Sequence, residues 1–224
     1  MRCVRIRFSK TGRMIYISHL DINRLMTRAV RRAKLPMWYT EGFNPHPYIA
    51  FALPLSLGQS SECEYMDIRI EGDMTNAQVE EALRAVMPED IGVVSVADPV
   101  FSPNEIVSAK YGVTLDFENS DEAENFYYSA MALLDGNELV AEKMGKKGRR
   151  KVLKQVNLIE QIFDKALTLD GSRVLLSLNL AAGNSVNLNP ALLIETLEKN
   201  IQIPSKQQYI VREDLLTASG KSFC

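Results

Sequence analysis

Arg2–Lys34 reads RCVRIRFSKTGRMIYISHLDINRLMTRAVRRAK, and a change of period inside it decides the fold. In RCVRIRF, Val4, Ile6 and Phe8 alternate with Arg5 and Arg7, the pattern of a strand with one face buried and the other exposed and basic. From Ser18 the period lengthens. At about 100° per residue, Ile22, Leu25, Met26, Ala29, Val30 and Ala33 share one arc of a helix, while Arg24, Arg28, Arg31 and Arg32 form a stripe on the opposite one. Ser18 and Asp21 have the spacing of a capping box, the serine accepting an early backbone N–H and the carboxylate reaching back. Leu35-Pro36 ends the helix, because the residue before proline avoids the helical region and the ring removes a donor.

Working outward, PMWYT (36–40) reads as a short strand, TEGFNPHP (40–47) as a loop, and YIAFAL (48–53) as apolar extended chain. EYMDIRI (64–70) is an alternating strand with Met66, Ile68 and Ile70 inward. Thr75 and Gln78 repeat the cap spacing before a helix that stops at Pro88, and IGVVSVA (91–97) is the next strand. The order is β-α-β-β-α-β, the split βαβ arrangement of a ferredoxin-like sheet. FSPNE (101–105) reads as a joint. Beyond it, VSAKYGVTLDF (107–117) is a strand, Asn119 and Glu122 cap a helix, ELVAEKM (138–144) is extended, and KKGRRK (146–151) is a basic loop. KALTL and RVLLSLNL form a hairpin about Asp170-Gly171, Asn189-Pro190 opens a helix, and QYIVR (208–212) is a final strand. The expectation is an α+β protein of two tandem ferredoxin-like domains, residues 1–100 and 105–224, the second with an extra hairpin strand.

Composition limits what these domains do. The 224 residues are 46% hydrophobic and 24% charged, which suits a globular chain. No stretch of some twenty apolar residues suggests a membrane span, and MRCVRIRFSK is too charged for the core of a secretory signal. A soluble, cytoplasmic protein is expected. Cys3, Cys63 and Cys224 are too scattered for a disulfide framework or a CxxC zinc site. A phosphate loop, a GxGxxG fingerprint and an HExxH helix are also missing, so no cofactor and no metal are expected.

The net charge of −2 hides segregation. Residues 1–34 hold ten basic side chains against one acid, Asp21, and residues 143–154 hold seven more with no acid among them. Local positive fields can therefore sit on a protein of acidic balance.

The remaining motifs carry a resemblance. Ser18-His19-Leu20-Asp21 at a helix start, the basic helix from Arg24 to Arg32, the Gly42-Phe43-Asn44-Pro45 loop and Pro54-Leu55-Ser56-Leu57-Gly58 together resemble the radical SAM-linked protein family. The match is dense over residues 7–70 and weaker afterwards. The resemblance implies a domain of unknown function encoded beside, or fused to, a cobalamin-binding type of radical SAM enzyme, which would be its partner. The chain itself lacks the three closely spaced cysteines that an iron–sulfur cluster requires.

Two functions follow as expectations, and a protein–protein adaptor stands as a third. The first is a non-catalytic subunit that binds RNA or presents substrate, using Arg24, Arg28, Arg31 and Arg32 with Lys146, Lys147, Arg149 and Arg150. In fold order and charge this resembles the repeat-associated RNA-binding proteins of CRISPR systems. Tyr16, Trp38, Tyr39, Phe43 and Tyr48 offer stacking surfaces if exposed. The second is a metal-independent endoribonuclease with His19, His46 and Tyr39 as candidate catalytic groups. In the 40–48 segment, Gly42 allows positive φ and two X-Pro bonds stiffen the chain in extended or cis geometry. Glu41, Gly42, Phe43, Asn44, Pro45 and His46 are therefore expected to form a rigid binding loop.

Overall fold

The period-two and period-3.6 segments fold as strands and helices in a computed structural model, which describes residues 1–147, 150–183 and 186–224, and the side chains of these outside 143–153. The fold is mixed α+β, with four α-helices among the described residues and antiparallel strand pairing throughout β1–β3, β1–β4, β2–β3, β5–β9, β6–β7 and β8–β9 as defined below. It divides into two units: Met1–Ile106 with Arg212–Cys224, and Val107–Val211.

The first unit contains β1 (Arg2–Lys10), α1 (His19–Arg32), β2 (Ile49–Phe51), β3 (Ser60–Ile70), α2 (Asn76–Arg84) and β4 (Val93–Ala97). Its strands lie in the order β4-β1-β3-β2. Val4, Ile6 and Phe8 from β1 and Met66, Ile68 and Ile70 from β3 make one face, against which α1 lays Ile22, Met26 and Val30 and α2 lays Val79 and Leu83. Each such side chain contributes about 1.5–3 kcal/mol by leaving water.

The opposite face of β1 is not the exposed basic surface that alternation suggests. Arg5 is 3% exposed, and its guanidinium makes a bidentate pair with Asp67 at 2.7 and 2.8 Å. Arg5 also donates to the carbonyl of Phe101 and lies over the ring of Phe223 at 4.2 Å. The expected second domain ran to residue 224, whereas Arg212–Cys224 belong to the first unit. The physical reason is the same covering: Phe223 is fully buried against Tyr65, ring centres 5.1 Å apart.

The second unit contains β5 (Ile106–Asp116, from Val107), α3 (Ser120–Leu134), β6 (Val140–Lys147), β7 (Arg150–Asn157), β8 (Ile162–Asp170), β9 (Arg173–Ala181) and α4 (Pro190–Ile201). β10 (Gln207–Thr217) is divided, its residues to Val211 lying in this unit and those from Arg212 in the first. The sheet order is β10-β5-β9-β8, and β6 and β7 form a separate hairpin.

Two local expectations change. PMWYT forms isolated bridges, Met37 to Ile70 and Tyr39 to Pro47, in place of a strand; Pro36 and Pro47 lack the N–H groups that a ladder needs. Where it is described, the basic run is carried on strands and not on a loop, with Lys146 opposite Lys151 and Lys147 opposite Arg150 in the backbone register.

Candidate functional site

The site is built on the outward face of α1. Ser18 sits before the helix in extended conformation, and its Oγ accepts from the backbone N–H of Asp21 at 3.2 Å. The Asp21 carboxylate takes the Ser18 hydroxyl at 2.7 Å, so the reciprocal bond of the expected capping box goes to the side chain, not to the backbone. That hydroxyl first, and then the Arg24 guanidinium, hold the Asp21 carboxyl below the usual carboxylate range.

The same face carries the arginines. Arg24 pairs with Asp21 at 3.1 Å, and Arg32 donates to the carbonyl of Val86 at 2.8 Å. The guanidinium groups of Arg28 and Arg31 are exposed and have no hydrogen-bond or ion-pair partner among the described residues. All four line a groove of about 720 Å³ whose apolar wall is Met14, Ile17 and Leu25. Leu25, placed by periodicity on the buried arc, is half-buried at its edge, where the 3₁₀ turn Gly12–Tyr16 approaches the helix. At about 1.5 Å rise per residue, Arg24 to Arg32 spreads four guanidinium groups over roughly two helical turns. Such an array takes a chain of anions better than one compact anion.

The N-terminal excess of positive charge is smaller in space than in sequence. Arg2 is tied to Asp98 and to the carbonyl of Met74, Arg5 to Asp67, and Lys10 is buried. Burial lowers the Lys10 pKa, although nearby Glu64 acts the other way; its Nζ reaches the carbonyls of Ile15 and Ile17 at 3.4 Å. Sequence reasoning did not single out Lys10, nor the buried pair of Arg212 and Glu64, whose partners are far apart in the chain.

The histidines have separate surroundings. The ring of His19 packs edge-on against Phe51, centres 5.0 Å apart, beside Lys10 and Glu64 at a small cavity. His46 Nδ1 lies 3.0 Å from Thr40 Oγ1 and 3.1 Å from the carbonyl of Asn44. Tyr39 bridges Pro47. No hydrogen bond or ring contact joins His19 to His46 or Tyr39 among the described residues.

The 40–48 loop is closed on itself. Thr40 N–H donates to the His46 carbonyl at 2.9 Å, and His46 N–H to Thr40 Oγ1 at 3.2 Å. Tyr48 N–H donates to Trp38, and Arg69 caps the Trp38 and Tyr48 rings at 5.3 and 4.2 Å. Both X-Pro bonds are trans. Gly42 adopts φ +126°, which turns the loop and leaves the neighbouring Phe43 fully exposed at its tip. Glu41, Asn44 and Pro45 are exposed beside it.

Of the second basic cluster, Arg149 lies outside the described residues, as do the side chains of Lys146, Lys147 and Arg150, which stand at the facing ends of β6 and β7. Among the described residues no group of three His, Cys, Asp or Glu side chains is placed to hold a metal ion, and no helix is long and apolar enough to cross a membrane.

Residues 3–190 match a family described as "Uncharacterized protein conserved in bacteria (DUF2344)". No curated protein matches the sequence. Among solved structures, a chain of the "Crystal Structure of a Cbf5-Nop10-Gar1 Complex" is similar over 95% of this chain, with a TM-score of 0.52 and 8% identity, a likeness of fold alone. This chain spans about half of that one, 48% of its length. An unknown protein from Galdieria sulphuraria aligns over 94% of this chain and 98% of its own at 9% identity, with a TM-score of 0.26, too low to indicate a shared fold.

Proposed function

From the premise that the chain belongs to the DUF2344 family of uncharacterized bacterial proteins, we propose that it is a non-catalytic accessory protein that binds RNA through the arginine face of α1. The observation that carries this reading is the pair Arg28 and Arg31, two exposed guanidinium groups without internal partners in an arginine-lined groove. An internal structural role would give them carboxylates or carbonyls, as Arg2, Arg5 and Arg212 have. Guanidinium groups match phosphate oxygens in a planar, two-pronged fashion.

The architecture we propose is two tandem ferredoxin-like units. The orders β4-β1-β3-β2 and β10-β5-β9-β8, each with two helices, support it, with the β6–β7 hairpin as an insertion. The Ser18–Asp21, Gly42–Pro45 and Pro54–Gly58 motifs support a radical SAM enzyme as partner and a cytoplasmic setting, in which this chain would hold the nucleic acid while the partner carries the redox chemistry. Cleavage by His19 and His46 has no geometric support, since an acid and a base acting on one phosphoester must both reach it.

The test is binding of purified protein to cellular RNA over a range of salt. Binding should weaken log-linearly with salt, and Arg28→Ala with Arg31→Ala should flatten the slope by roughly 0.7 per lost phosphate contact on a single strand. The RNA should be recovered intact. Binding unchanged by the double substitution would reject the α1 face, and binding to an acidic protein surface without RNA would establish the adaptor.

A further inference from the structure

The α1 groove combines two kinds of surface that a double helix would not use together. Its rim is four arginines, without a lysine, and its wall is Met14, Ile17 and Leu25. Tyr16, between two of these apolar residues in the sequence, is 72% exposed, and Leu20, at the start of α1, is 69% exposed. Leu57, 65% exposed, precedes Gly58, whose N–H donates to the Ile15 carbonyl at 2.9 Å. An A-form duplex turns phosphates and riboses outward and keeps its base faces stacked inside. Set on this groove, it would cover methyl and thioether groups with charged, hydrated backbone.

An unpaired strand presents both phosphates and free base faces. We propose that the ligand of this groove is single-stranded RNA, with phosphates on Arg28 and Arg31 and bases lying on Tyr16 and the apolar wall. This rests on the RNA reading given above. Asp21 sharpens the placement: its carboxylate, ionised and bonded to Ser18 and Arg24, repels phosphate from that end of the groove and leaves Arg28 and Arg31 as the anion positions. A carboxylate near the bases suits an exocyclic amine as donor. The groove volume, about 720 Å³, is of the size that encloses compact ligands, so it takes a few bases and not a long helix.

The experiment compares a fluorescent single-stranded RNA of about 12 nucleotides with its perfect duplex, at one salt concentration, by anisotropy. The native chain should bind the single strand at least tenfold tighter. Tyr16→Ala should weaken single-strand binding roughly 5- to 150-fold, the range of one lost base stack, without changing duplex binding, and Tyr16→Phe should restore it. Tyr16 is exposed, so thermal melting of both variants should match the native chain. Duplex bound as well as single strand, with Tyr16→Ala silent, would overturn the single-strand assignment and leave RNA binding standing. Neither RNA bound at low salt, with a polyglutamate peptide bound in its place, would overturn both.

Discussion

Cys63 shows what single residues contribute to the first unit. Its thiol is fully buried on β3, donates weakly to the Arg212 carbonyl at 3.6 Å, and is pushed by burial from 9.0 up to about 12. The folded chain therefore keeps a proton that the unfolded chain releases. Stability from this group is complete below pH 9 and declines as the pH climbs toward 12. Tyr65, also raised to about 12, adds loss in the same window, and buried Lys10, whose pKa is lowered, acts with the opposite sign. In reducing buffer, Cys63→Ala should lose less stability than the native chain across that range, measured by urea midpoints. Equal losses would assign the alkaline sensitivity to other groups. None of this was legible in the sequence. Arg5 and Arg7 read as an exposed face because alternation reports which residues share a side, not whether a distant segment such as Phe223 covers it. The arginines of α1 were legible, since their partners, or lack of them, are set within the helix and its immediate surroundings.

Among the elements, α1 was the most readable and matters most to the proposed site. Its length, start and arginine face follow from apolar spacing, a serine cap and a proline stop, all local signals. Ser18 satisfies one of the four N–H groups left open at the helix start and holds Asp21 in position by the hydroxyl bond. Ser18→Ala should reduce stability by about 1 kcal/mol, read from denaturant midpoints, and a change near zero would mean that water replaces the cap. The β6–β7 hairpin was less readable. KKGRRK looks like a loop by charge and glycine content, yet β pairing extends to Lys147 and Arg150 from the flanking residues. PMWYT erred in the other direction: β-favouring residues promised a strand, and the prolines on either side limited it to single bridges.

At the scale of the whole chain, the first unit is assembled from two separated pieces. Arg212, 1% exposed, directs Nε and Nη2 at one oxygen of Glu64 and also donates to the carbonyl of Leu53 at 3.0 Å. Glu64→Ala would leave a buried guanidinium without its counter-charge and should destabilise the first unit by about 3–5 kcal/mol in equilibrium unfolding. A loss below about 1 kcal/mol would show that the carbonyls alone suffice. The tandem reading of the sequence had no means of finding this join, because a strand's pattern states its faces and not its neighbours. The divided β10 has a further meaning when the chain is considered in time. A ribosome delivers residues at roughly 5–20 per second, and domains ordinarily fold in the order in which they emerge. Here Val107–Val211 can be complete while Glu64 and Tyr65 still await Arg212 and Phe223. The unit begun first is the one finished last, so the nascent chain spends the synthesis of the intervening segment with that side of its first sheet uncovered.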